Sequence, residues 1–139
     1  MVVAVPTVRP VLVVDDHADS RGVVRTTLET DGFVVVEAEN GREALDLLVG
    51  ERQLNPCLIV LDLAMPVMSG WELLAIIRSY HRFADVPVIV TSAIAEATEA
   101  LKHRAVIACF VKPVDLARLG EAVRAVTAER APSSEEGAA

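Results

Sequence analysis

Four places along this chain carry side chains that could do chemistry together, and each follows a short apolar run. Asp15 and Asp16 follow Val11–Val14, Asp62 ends the run begun at Leu58, Thr91 and Ser92 follow Val88–Val90, and Lys112 and Pro113 follow Phe110–Val111. Three carboxylates crowded together repel and raise one another's pKa unless a cation joins them. Oxygen-only ligands around a partly open position suit Mg²⁺, with Mn²⁺ as the alternative, because such an ion keeps waters and accepts phosphate oxygens. A hydroxyl and an ammonium on the far side would complete a cage for a phosphoryl group. The chemistry implied is attack by a carboxylate on phosphorus, with the metal and Lys112 neutralising the developing charge.

The elements that must position these groups are legible as alternating blocks. Val11–Val14, Val34–Val36, Leu58–Leu61, Val88–Val90 and Phe110–Val111 are short and rich in β-branched residues, the pattern of strands buried on both faces. Helix-period segments separate them. Asp19–Asp31 stops at Gly32, and Asn40 caps a helix from Gly41 to about Glu51 with Ala44, Leu45 and Leu48 on one side. Ser69 caps a third helix through Tyr80 with Leu73, Leu74 and Ile77 inward, and Ala95–His103 reads as a weaker one. Asp115 caps the last, in which Leu116, Leu119, Val123 and Val126 recur at helical spacing. Strict alternation predicts an α/β fold: a flavodoxin-like, doubly wound, five-stranded parallel sheet of order 2-1-3-4-5, a (βα)5 unit. In such a sheet ligands bind outside the carboxyl ends of the strands, so all four polar places share one rim. Strands about 4.8 Å apart put Asp62 one strand from the aspartate pair, with Lys112 two strands away and within reach of its flexible stem.

Composition narrows the class. The 139 residues are 53% hydrophobic, which demands a packed core and excludes a disordered chain. Thirteen basic against 20 acidic residues give a net charge of −7, so nucleic acid is not an expected partner. The longest apolar run, Ala105–Val111, is too short for a bilayer, and Met1–Val8 lacks a basic leader and is broken by Pro6. A cytoplasmic protein without a membrane anchor is expected. The organisation expected is an N-terminal arm at 1–9, one domain at 10–130 and a disordered tail at 131–139. Cys57 and Cys109, read as beginning the third and fifth strands, are too far apart in the proposed order for a disulfide and should be free thiols.

Four segments together resemble the receiver domain of two-component response regulators. They are Val11-Leu-Val-Val-Asp-Asp16; Leu61-Asp-Leu-Ala-Met-Pro66 followed by Ser69-Gly70; Pro87-Val-Ile-Val-Thr-Ser-Ala93; and Phe110-Val-Lys-Pro113. Each is weak alone; four in order at strand ends, spanning about Pro10 to Thr127, are specific. The resemblance implies that Asp62 is the phosphoacceptor, charged by a histidine kinase or phosphotransfer protein. It implies that Asp16 binds the metal directly, Asp15 through water, and Ala64 through its backbone carbonyl. Ser92 matches the switch hydroxyl, with Thr91 as runner-up at a place where the family has an apolar residue. Lys112 matches the phosphoryl-binding lysine, and its bond to Pro113 is cis in the family.

Three departures touch one face. Cys109 stands where the family has Tyr or Phe as a rotameric switch, and Phe110 has the opposite strand parity. Ala105 replaces a helix-capping Gly, and the interval from Ser92 to Lys112 is short. Core chemistry is expected intact and output coupling altered. The leading expectation is a stand-alone receiver, since the chain after Thr127 is too short for a DNA-binding unit. Its output would pass to an unknown downstream protein, as a monomer or as a phosphorylation-dependent homodimer through Arg118, Glu121, Arg124 and Glu129 of the last helix. The alternatives are a degenerate receiver acting as an unphosphorylated structural partner, or a haloacid-dehalogenase-like phosphohydrolase. The latter needs a second acid where this chain has Ala64, and no turnover enzyme is expected. His17, beside Asp16, invites a transition-metal reading, but the plainer one is an exposed histidine at a helix start. His81 and His103 read as surface residues, and Trp71 as partly exposed packing.

Overall fold

The computed structural model describes residues 8–93, 99–103 and 105–129. Five parallel strands, β1 (Val11–Val14), β2 (Val35–Ala38), β3 (Leu58–Asp62), β4 (Val88–Ser92) and β5 (Val106–Val111), form one sheet of order β2-β1-β3-β4-β5. Helices α1 (Ala18–Thr30), α2 (Gly41–Val49), α3 (Gly70–Arg78) and α4 (Leu116–Glu129) cover its faces, with a short 3₁₀ turn at His81–Phe83. The flavodoxin-like order therefore stands. Of the weak helix expected over Ala95–His103, residues 99–101 are helical; positions 94–98, the first seven residues and positions 130–139 lie outside the described residues.

Strand alternation divides the core into two layers. Leu12, Val14, Ile59, Leu61, Val88 and Val90 point to α2 and α3, where Ala44, Leu48, Leu73, Leu74 and Ile77 meet them. Val11, Val13, Leu58, Val60 and Ile89 point the other way, against Val24 and Leu28 of α1 and Leu119 and Val123 of α4. Each fully buried aliphatic side chain contributes roughly 1.5–3 kcal/mol, so the sheet is held from both sides. Caps sit where the sequence places them. Asn40 accepts from the Glu43 N–H at 2.8 Å, Ser69 and Glu72 form a reciprocal capping box, and Asp115 accepts from the Arg118 N–H at 3.2 Å. Gly32 ends α1 with φ +92°, a left-handed turn suited to glycine.

Several boundaries differ from expectation. Strand β5 begins at Val106 rather than Phe110, so Cys109 lies in its interior, paired in register with Val90, and does not begin it. The long run from Ala105 is this strand; its edge position leaves Ile107 and Val111 partly exposed, which blurs the expected alternation. Strand β2 extends through Glu37 to Ala38 because two arginines neutralise that carboxylate. Helices α2 and α3 each end about two residues early. Gly50 closes the first through its N–H to Asp46 O at 2.9 Å, and Ser79 closes the second by donating its hydroxyl to Ile76 O at 2.6 Å. Both cysteines are free thiols, as expected. His103 is half-buried rather than a surface residue, and burial draws its pKa down.

Candidate functional site

The rim at the carboxyl ends of the strands brings the predicted charges together. Asp62 is 2% exposed, and Lys112 reaches from beyond β5 to set Nζ 3.0 Å from Asp62 Oδ2. The other oxygen, Oδ1, accepts the Ala64 N–H at 3.3 Å. Asp15 is also buried, and its Oδ1 accepts the His17 N–H at 2.9 Å, which starts α1. Oxygens of Asp15, Asp16 and Asp62 and a nitrogen of His17 all lie within 4.8 Å of one another. Burial pushes the Asp62 carboxyl above its usual range, with Asp15 adding to the effect and Lys112 opposing it.

The fold enforces this crowding. Parallel pairing aligns Val14 of β1 with Leu61 of β3, so the residues that follow each strand emerge side by side. Lys112 is fixed at its root, because its N–H donates to Ser92 O at 2.9 Å and carries the end of β5 against β4. The Lys112–Pro113 bond is cis, as the resemblance implies. The β3–α3 loop closes over Asp62 at Gly70, where an added Cβ would lie 2.5 Å from Asp62 O and 2.7 Å from Leu63 Cα. Val67 in that loop has φ +71°, and Met68 N–H returns to Pro66 O at 2.8 Å. A β-branched residue in this tight turn is strained.

The two hydroxyls part company. Ser92 donates to its neighbour Ala93 O at 3.0 Å and lies 3.6 Å from Cys109 Sγ. Its hydroxyl makes no hydrogen bond to Asp62 in this arrangement. Thr91, on the opposite parity, lines a cavity of about 610 Å³ together with Asp15, Lys112 and apolar residues of α1. Cys109 packs on the layer that holds α2 and α3, and Phe110 on the other, as strand parity predicts.

Sequence reasoning missed the brace beneath the aspartates. Arg21 Nη1 donates to Asp15 O at 2.8 Å while its Nε holds Glu37 Oε1 at 2.7 Å, and Arg25 holds Glu37 Oε2 at 2.5 Å. Both arginines pull the Glu37 carboxyl below its usual range, Arg25 the more strongly. The available signal was a single acid in the apolar strand β2 opposite two arginines one helical turn apart.

The oxygens of the rim suit a cation. Asp16 Oδ1 is shielded from solvent and has no aligned hydrogen-bond donor. One ammonium faces three carboxylates, so the pocket retains excess negative charge that a divalent cation would balance. These oxygen donors fit Mg²⁺.

Fold and rim together define a doubly wound α/β module with an acidic pocket at one edge. The chain belongs to the response regulator receiver domain family, whose pattern matches residues 11–124. A 14.6 kDa uncharacterised protein of Leptolyngbya boryana is 41% identical over 76% of this chain and 79% of its own length. Among solved structures, a Francisella response regulator receiver domain is 30% identical with TM-score 0.77, covering 88% of this chain and 98% of its own. A response regulator receiver protein from Pseudomonas putida is 33% identical with TM-score 0.74, covering 86% and 98%. Other curated relatives, sensor histidine kinases and transcriptional regulators among them, are longer, and the chain spans 8% to 46% of their lengths. Receiver domains are signalling modules of two-component systems rather than turnover enzymes. They bind Mg²⁺ at an acidic pocket and interact with histidine kinases and phosphotransfer proteins. Among the described residues, no helix is long and apolar enough to cross a membrane.

Proposed function

We propose that Asp62 accepts a phosphoryl group from a histidine kinase or phosphotransfer protein and that the resulting charge alters contacts with a downstream protein. The observation that carries this reading is the buried Asp62 carboxylate with Lys112 Nζ 3.0 Å away and two further aspartates beside it. Lys112 compensates one carboxylate, but three stand together, and an excess of desolvated negative charge is costly unless a cation or a phosphoryl-binding role accounts for it. The Asp62 oxygen attacks phosphorus; a P–O bond forms as the P–N bond to the donor imidazole breaks, and that nitrogen takes up a proton. Lys112 binds and orients the phosphoryl oxygens, and the Ala64 N–H holds the carboxylate for attack. Asp16, Asp62 and the Ala64 carbonyl would hold Mg²⁺ (or Mn²⁺), with Asp15 acting through water. Its contribution is neutralisation of charge on the transferring group.

Ser92 must exchange its bond to Ala93 O for a phosphoryl oxygen, and this is the switching element. Cys109 rather than an aromatic ring faces that hydroxyl, so the readout on β4 and β5 passes through the Ser92–Cys109 contact. The same engagement of Ser92 favours a second reading, an unphosphorylated structural partner. The two separate cleanly. Incubation with acetyl phosphate and Mg²⁺ should give an acid-stable, base-labile label that is absent in Asp62→Asn, and beryllofluoride should change partner binding. No incorporation, or equal labelling of Asp62→Asn, rejects phosphoacceptance. Partner binding indifferent to beryllofluoride supports the structural role.

A further inference from the structure

We propose that the cavity between α1, the start of α4 and the sheet binds a small neutral amphiphile, a compact apolar body carrying one hydroxyl group. This site lies below the acidic rim and needs neither a metal nor a phosphoryl group, so it stands apart from the reading of Asp62 as a phosphoacceptor.

The cavity measures about 610 Å³, inside the range of about 300–1,000 Å³ typical of small-molecule sites. Its floor is Val13 and Val60, paired in register on β1 and β3. Its walls are Val23 and Val24 of α1, with Val114 and Leu116 where the last helix begins. Thr91 enters this apolar space from β4, two residues after Ile89 and therefore on the same face of the strand. It is 4% exposed, and its hydroxyl makes no hydrogen bond among the described residues. A valine of nearly the same shape would fill the position without burying a polar group, so the hydroxyl is a cost to folding that a ligand group can offset.

Charge selects the head group. Asp15 and Asp19 line the cavity and disfavour an anion, while Lys112, the basic residue of the lining, is already paired with Asp62 Oδ2 at 3.0 Å. An ammonium would exchange water for one hydroxyl and aliphatic walls, and Asp15 Oδ1 is already engaged by the His17 N–H at 2.9 Å. A neutral hydroxyl avoids both penalties. It exchanges a hydrogen bond with Thr91 Oγ1 while its apolar body covers the valines.

Naphthalene, 2-naphthol and 2-naphthoate, titrated into the full chain at neutral pH and followed by ¹H–¹³C methyl NMR, test the site. 2-Naphthol should move the methyl resonances of Thr91, Val24, Val60 and Leu116 and leave Leu48 and Leu73, on the other face of the sheet, in place. 2-Naphthoate should bind at least about tenfold more weakly, the loss expected for burying its charge. Thr91→Val should weaken 2-naphthol about fivefold, the loss of one neutral hydrogen bond, and leave naphthalene unchanged. Because it removes an unpaired buried hydroxyl, the same variant should raise the urea midpoint. Val23→Phe narrows a wall that is 48% exposed and should weaken naphthalene and 2-naphthol alike. Methyl shifts that do not saturate, or that fall on the other face, overturn the proposal. So do 2-naphthoate binding as tight as that of 2-naphthol and unchanged binding in Val23→Phe. Equal effects of Thr91→Val on naphthol and naphthalene, or a lower urea midpoint in that variant, assign the hydroxyl to the fold and overturn it as well.

Discussion

At the β1–β3 half of the rim, charged groups are buried and cross-tied. Asp15 and Asp62 each accept a backbone N–H, Arg21 holds the Asp15 carbonyl, and Gly70 lets the β3–α3 loop press on Asp62. The β4–β5 half is built from smaller parts. Ser92 meets a neighbouring carbonyl and one sulfur atom 3.6 Å away, on an edge strand whose Ile107 and Val111 are partly exposed. Both halves are buried, Ser92 included, so the difference follows from charge: a desolvated carboxylate must be held by several partners, whereas a neutral hydroxyl is satisfied by one. The acidic half is thus cross-tied by several bonds, and the hydroxyl half is held by few.

Substitutions can break or sharpen this contrast. Gly70→Ala forces a methyl group into Asp62 O and Leu63 Cα, and should cost about 3 kcal/mol in urea unfolding. A loss under about 0.5 kcal/mol would show the acidic half to be looser than described. Val67→Gly relieves the left-handed backbone of the same loop and should raise stability by about 1 kcal/mol in the same assay.

Glu37→Gln weakens the brace under Asp15. Because the folded-state pKa of Glu37 is lowered, its stabilisation is present above the unfolded carboxylate pKa and is lost as pH falls through the folded value. After discounting for solvent screening, the variant should be less stable at neutral pH by roughly 0.5–1 kcal/mol, and the deficit should shrink as pH falls below the ordinary carboxylate range and through the lowered folded value. A deficit independent of pH would assign the effect to packing instead. Cys109→Ala should be the mildest change, about 0.5 kcal/mol, because the thiol is only partly buried and its contact with Ser92 is long. A cost as large as that of Gly70→Ala would erase the contrast between the two halves.

Much of the fold is legible without coordinates. Five β-branched runs alternating with capped helical segments leave few parallel arrangements, and the caps at Asn40, Ser69 and Asp115 lie where local hydrogen bonding demands them. The meeting of Asp62 with Lys112 was equally readable, because residues that end parallel strands share one edge. The reach of β5 was not, since an edge strand is half solvated and loses its alternation. Glu37 was missed for a related reason: a charge inside a strand breaks the apolar pattern until its arginine partners on α1 are known.

What the sequence determined by itself was the sheet order and which polar residues stand at the ends of the strands, because short-range patterning decides which residues end strands and start helices. Tertiary structure alone decided how those groups face one another: the Arg21–Glu37 brace, the approach of His17 Nδ1 to the carboxylates, and the turn of Ser92 toward Cys109 rather than Asp62. Contacts of that kind depend on side-chain torsions and on distances between segments remote along the chain, which periodicity does not encode.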